Sequence, residues 1–268
     1  MPTETMGAMP SSAARWGPLW GARPEDWLAS EDQQVPTYEA ALERTGLSAG
    51  QTVLDIGCGG GAFLRLVAER GGVPSGIDAA ETLVDIARTR LPEADLRVGD
   101  MEALPYADDA FDLVTGFNAF FFANDIMAAV REAGRVAKPG AQVVIQVWGA
   151  HERCDLEALK EIIRPYFPAR PADAPPDPDL SGPDALEQLA TRAGLTPVVE
   201  FTTAWAYRFA DDDSLGRAMV APAGVAALVG PESEPEVRAA IVEGMAPFRS
   251  GDGGYRLENE FRFLIARA

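Results

Sequence analysis

Residues Val53 to Gly61 read Val-Leu-Asp-Ile-Gly-Cys-Gly-Gly-Gly, an order that few backbone paths accommodate. A short apolar run meets glycines at 57, 59, 60 and 61, and the residues beyond place Phe63, Leu64 and Val67 on one helical face. A buried strand, a tight glycine turn and a helix in succession open a βαβ unit. In such a unit the N–H groups at the helix start are expected to face a ligand. Glycine suits the turn because a side chain would hold the ligand off and would resist a positive φ. The spacing Gly57-x-Gly59-x-x-Ala62, with Asp78 twenty-one residues beyond Gly57, also fits a dinucleotide fingerprint. A strand-to-helix turn that binds nothing would use the same glycines.

The alternation continues along the chain. Apolar runs at 52–56, 73–77, 96–98, 111–115 and 141–148 read as strands. Helical spacing appears at 60–70, 80–90 and 125–137, the last with Asp125 as cap and Lys138-Pro139-Gly140 as stop. Near-continuous apolarity at 141–148 marks a strand covered on both faces. The pattern therefore predicts an α/β fold with a doubly wound, mostly parallel sheet whose core spans 51–149. Residues 1–15 are expected to be a disordered tail, and 16–50 a helical cover carrying Trp16, Trp20 and Trp27 and a helix over 36–45. Seven prolines between 165 and 183 exclude a helix or a central strand there, and a helix over 183–193 follows. Segments 150–195 and 211–250 read as lid insertions within a single domain, 16–268. The second holds a helix from Ser233, with a Ser233…Glu236 capping box and Val237, Ile241, Met245 and Phe248 on one stripe. Residues 196–210 and 255–266 are expected strands, antiparallel to each other. The latter alternates Tyr255, Leu257, Phe261, Phe263 and Ile265 against charged residues.

Three acidic residues bear on the ligand. Asp55 ends the first strand, two residues before Gly57, where a pyrophosphate would meet negative charge and an ammonium or sulfonium would be welcome. Asp78 ends the second strand, where a carboxylate can accept both ribose hydroxyls. Gly99-Asp100-Met101 follows the third, where a carboxylate can accept an adenine amino group and a thioether can pack on its ring. Each alone is also an ordinary turn residue; three at successive strand ends of one sheet point to a common ligand.

The blocks VLDIGCGGG, GID, GDMEALPYADDAFDLV and EAGRVAKPGA, in this order within residues 45–150, resemble the class I S-adenosylmethionine-dependent methyltransferases. Within them the likeness is to the small-molecule group that includes the ubiquinone/menaquinone-biosynthesis type. The resemblance implies a seven-stranded Rossmann-like sheet whose last strand is antiparallel and inserted beside the fifth. It implies S-adenosyl-L-methionine as cofactor, S-adenosyl-L-homocysteine as product, and direct in-line methyl transfer to O, N or C of a small apolar or aromatic acceptor. Residue by residue, it implies Asp55, Gly57 and Gly59 around the methionyl part, Asp78 at the ribose, and Asp100 with Met101 at the adenine. Asn118 would lie near the transferred methyl. Residues 118–122, Asn-Ala-Phe-Phe-Phe, depart from a stretch that often contains histidine, which removes a base from this loop.

Trp20 is expected to close over the cofactor with its ring facing the sulfonium; anchoring the N-terminal helices is the other role open to it and to Trp27. Phe120, Phe121 and Phe122 suit either an acceptor pocket or the core, and Cys58 is a small filler of the turn. His151, the only imidazole, follows the fifth strand and is the one candidate general base; a solvated loop position is its other reading.

Composition narrows the partners. A formal net charge of −18 opposes nucleic acid and anionic membranes. Neither Lys138 nor Lys160 follows glycines in the phosphate-loop manner. Two cysteines and one histidine make neither a disulfide framework nor a metal site, and suit free thiols in a reducing compartment. The chain shows no signal-peptide pattern and no apolar stretch of membrane-spanning length, so a cytoplasmic protein with a small-molecule partner is expected. The rival readings are a nicotinamide-dependent oxidoreductase on a related fold and a catalytically silent, methyltransferase-like binding protein.

Overall fold

A computed structural model describes residues 10–167, 180–227 and 229–268. The expected tail over 1–9 and most of the proline-rich stretch, 168–179, lie outside the described residues. Seven strands form one sheet: β1 (Thr52–Ile56), β2 (Val73–Asp78), β3 (Asp95–Val98), β4 (Phe111–Phe117), β5 (Ala137–Trp148), β6 (Thr196–Phe209) and β7 (Tyr255–Arg267). Their order is β3-β2-β1-β4-β5-β7-β6, parallel as far as β5, with β7 antiparallel to both β5 and β6. β7 thus lies beside β5, where the resemblance puts an inserted antiparallel last strand. The order reverses at β1, which pairs with β2 on one side and β4 on the other; a crevice opens at such a switch point.

The crossover helices are α4 (Ala62–Glu69), α5 (Glu81–Arg90) and α6 (Ile126–Val136). The Asp125 side chain caps α6, accepting the N–H groups of Met127 at 2.9 Å and Ala128 at 3.1 Å. Alternate strand residues feed two cores. Val53, Phe117 and Val144 pack with Phe63 and Val67 on one face, and Leu54, Val114 and Ile145 with Val130 and Leu186 on the other. β5 begins at Ala137, four residues before the apolar run suggests. Lys138 draws its start onto β4 through a 2.8 Å contact with Asp112, which also accepts the Thr52 N–H on β1.

The cover consists of α1 (Ser12–Trp20), α2 (Pro24–Glu31) and α3 (Val35–Thr45). α1 starts inside the stretch expected to be a tail: Ser11 caps it, and its Gly17 lies against the Ala79 backbone so closely that a Cβ would not fit. α7 (Glu157–Ile163) and α8 (Ala185–Arg192) lie between β5 and β6. α9 (Asp212–Val220), α10 (Ala223–Ala226) and α11 (Glu234–Gly244) lie between β6 and β7. The capping box expected at Ser233 does not form; that hydroxyl donates to the Gly230 carbonyl at 3.2 Å, and the box is made instead by Asp211 and Ser214 at the start of α9. Among the described residues no helix is long and apolar enough to cross a membrane.

Candidate functional site

A cavity of about 380 Å³ opens at the ends of β1, β2, β4 and β5, beneath the cover and the insertions. Asp55, Gly57, Gly59, Asp78, Met101, Asn118 and Trp20 all line it, so the fold brings together seven residues that the sequence scatters over a hundred positions. Two other expected site residues stand apart. Asp100 does not line the cavity, although its neighbours Gly99 and Met101 do. Its carboxylate accepts the Ser12 hydroxyl at 2.8 Å, the Ala13 N–H at 3.2 Å and the Glu102 N–H at 2.9 Å, which ties α1 to the end of β3. His151 is also outside; its side chain is 58% exposed, with Nδ1 3.0 Å from Glu157, and Glu157 is the member of that pair on the cavity wall.

The acids are held firmly. The Thr115 hydroxyl donates to Asp55 at 2.7 Å across the β1–β4 register, and Asp55 is 3% exposed. Burial pushes its pKa up to about 8, against the pull of that hydrogen bond. Asp78 accepts the N–H groups of Gly59 at 2.9 Å and Ala80 at 2.8 Å; burial raises its pKa while these bonds oppose the rise.

The N–H groups of the glycine turn do not await a ligand. Those of Gly57 and Cys58 bond the Ile77 carbonyl, that of Gly59 bonds Asp78, and that of Gly60 donates to the Glu31 carboxylate at 2.9 Å. Gly57 and Gly59 have φ of +77° and +52°, which only glycine adopts freely. A turn whose donors are taken up by backbone carbonyls and two carboxylates is a poor cradle for a pyrophosphate and a suitable neighbour for a cation.

Asn118 is the second unusual element. It follows β4 with φ of +51°, and neither its amide nitrogen nor its oxygen has a partner. Asn118 thus combines a left-handed backbone conformation with a buried amide that no protein group satisfies, on the cavity wall. The rest of the wall is mostly apolar and aromatic, with Gln34, Glu157 and Lys160 among its polar members. Trp20 meets Trp27 edge-on at 4.6 Å and Phe122 at 5.3 Å, so it both anchors the cover and faces the cavity. Phe121 and Phe122 line the cavity, whereas Phe120 is core at 1% exposure. Burial, and after it the neighbouring acids Asp78, Asp55 and Glu31, push the Cys58 thiol pKa up.

Toward β5 and the insertions the lining is Trp148, Leu159, Ile163, Tyr207, Met219 and Val225. These come from α7, α9, α10 and the strands. The stripe on α11 that the pattern assigned to a lid lines none of the cavity; Val237 and Ile241 are buried in a helix that packs on α7 and α9. Sequence reasoning missed Glu31, Tyr38, Thr115 and Tyr207, which sit on helices and strands whose local pattern is unremarkable.

A family profile described as "Methyltransferase domain" matches residues 54–145. An uncharacterised protein of Mycobacterium tuberculosis is 30% identical over 194 residues, 67% of this chain and 69% of that one. A demethylmenaquinone methyltransferase of Tropheryma whipplei is 31% identical over 140 residues, and there the match spans 50% of this chain and 54% of the other. Among solved structures, a Haemonchus contortus phosphoethanolamine N-methyltransferase in complex with S-adenosylhomocysteine shares the fold. Its TM-score is 0.53 at 19% identity, over 87% of this chain and 52% of that one. With the sheet order, the acid-lined switch point and these relatives in hand, the chain belongs to the class I S-adenosylmethionine-dependent methyltransferases.

Proposed function

We propose that this protein transfers a methyl group from S-adenosylmethionine to a small apolar or aromatic acceptor. The observation that carries the reading is the convergence of Asp55, Asp78 and the strained, unpartnered Asn118 on one apolar cavity at the switch point of the sheet. The cofactor supplies a methyl group already made electrophilic by its sulfonium. In this reading Asp55, Gly57, Gly59 and Asn118 hold its methionyl end, Asp78 the ribose, and Met101 packs on the adenine. Trp20 covers the ligand, and Asp100 acts by fixing α1, which carries Trp20, over the nucleoside.

The chain's own task is then to orient a nucleophile in line with the methyl and to keep water out. Trp148, Tyr207, Ile163 and Met219 offer such a chamber, and its mostly apolar wall, with the Glu157–Lys160 pair at one side, suits an apolar or aromatic acceptor. An acceptor atom that is already nucleophilic, whether carbon or unprotonated amine, needs no general base, whereas a hydroxyl acceptor would need one, with Glu157 the carboxylate on the acceptor-side wall. We further propose a cytoplasmic, single-domain protein, and its −18 net charge speaks against nucleic-acid and anionic-membrane partners.

Calorimetric titration tests the reading. S-adenosylmethionine and S-adenosylhomocysteine should each give saturable binding heat and NADH none. Saturable NADH binding with no S-adenosylmethionine heat would replace it with the oxidoreductase reading.

A further inference from the structure

Glu31 is the last residue of α2, the helix end at which the dipole disfavours an acid, yet it is only 3% exposed. Its Oε1 accepts the Gly60 N–H at 2.9 Å, while Oε2 is buried without a hydrogen bond, 3.7 Å from Arg90 Nη1. The Arg90 guanidinium itself donates to the Gly60 carbonyl at 3.0 Å. The fit to the turn is close: a Cβ on Gly59 would come within 2.6 Å of Glu31 Oε1, and one on Gly60 within 2.8 Å of Oε2. Glu31 lines the same cavity as Asp55 and Asp78. Three acids surround one turn, and one of them has an oxygen that accepts no hydrogen bond and has only Arg90 near it, so a bound positive charge would favour their ionised forms.

We propose that Glu31 is a cofactor-binding residue whose Oε2, without a hydrogen bond of its own, receives the ammonium of the methionyl part while Oε1 holds the glycine turn. The proposal rests on the S-adenosylmethionine reading above and adds a ligand from outside the βαβ core. It makes the cover part of the binding site, because α2 delivers one of the groups that recognise the amino acid end. A carboxylate serving only to brace Gly60 would not distinguish ligands with an ammonium from ligands without one.

The test compares S-adenosylhomocysteine with 5′-methylthioadenosine, which keeps the nucleoside and thioether and lacks the amino acid. Glu31→Gln retains an acceptor for the Gly60 N–H. It should weaken S-adenosylhomocysteine by about tenfold or more and leave 5′-methylthioadenosine unchanged. Equal losses for both ligands, or no loss for either, would overturn the proposal. The wild-type protein gives a second reading that does not depend on the variant's folding. It should bind S-adenosylhomocysteine about tenfold more tightly than the analogue with hydrogen in place of the amine, and equal affinities would overturn the proposal. Wild-type protein that binds none of these ligands refutes the cofactor reading itself and this proposal with it. Wild-type protein that binds S-adenosylhomocysteine while Glu31→Gln loses nothing refutes the role of Glu31 alone.

Discussion

Single carboxylates here do two jobs at once, and substitutions expose both. Asp78 ends β2 facing the cavity, and it also accepts the N–H groups of Gly59 and Ala80. Asp78→Ala removes the expected ribose contact and strips two backbone donors of their partner. Hydrogen bonds to charged groups contribute roughly 1.5–3 kcal/mol, so cofactor affinity should fall by about one to two powers of ten. The melting temperature should fall as well. Asp78→Asn keeps one acceptor oxygen and should recover part of the stability but little of the affinity. Calorimetry and thermal melts on the two variants separate the effects; unchanged affinity in both would take Asp78 out of the site. Asp100 shows the same economy in another place, its charge spent on Ser12 and Ala13 of the cover.

Elements divide between the two ends of the cavity. α1 and α2 bring Trp16, Trp20, Trp27 and Glu31 to the side proposed for the cofactor, whereas α7, α9 and α10 bring Leu159, Ile163, Met219 and Val225 to the side proposed for the acceptor. Segments that close over ligands come from the less stable parts of a fold, so their amide exchange reports occupancy. Added S-adenosylhomocysteine should slow exchange in residues 12–31, 53–61, 78–80 and 99–101 and leave 157–163 and 212–226 nearly unchanged. Strong protection of α7 and α9 by this product alone would show that the two ends are not separate compartments. α11 should respond least of the helices between β6 and β7, since it touches α7 and α9 rather than the cavity.

Across the whole molecule, a chain with net charge −18 concentrates buried acids in one place. Asp55 and Glu31 both have pKa values raised to about 8 by burial. In the folded state these groups keep protons that the unfolded chain releases near pH 4, so between those values the folded state binds more protons. Their contribution to stability is therefore present in full at low pH and is lost as pH rises toward about 8. Thermal melts of the free protein should show a falling melting temperature from about pH 5 to about pH 8.5. Saturating S-adenosylmethionine brings a permanent positive charge that favours the ionised acids, so the decline should be shallower with it present. A free protein that gains stability over that range would mean the acids are already compensated without a ligand.

Local signals in the sequence determined much of this protein. The apolar run and glycines of 53–61 set β1, its turn and α4, because backbone sterics at positive φ leave little choice. Period-two alternation set β7, and the strand-end positions of Asp55 and Asp78 put both acids at the crevice. Tertiary packing decided the rest. Nothing local in Pro-Glu-Asp-Trp-Leu-Ala-Ser-Glu indicates that its last acid rests on Gly60. Asp100 follows the end of β3, yet which partner takes its charge depends on where α1 docks. The stripe on α11 has the spacing of a lid but is covered by α7 and α9. Periodicity says that a face is buried and is silent about against what, since that is fixed only when the non-local surfaces meet.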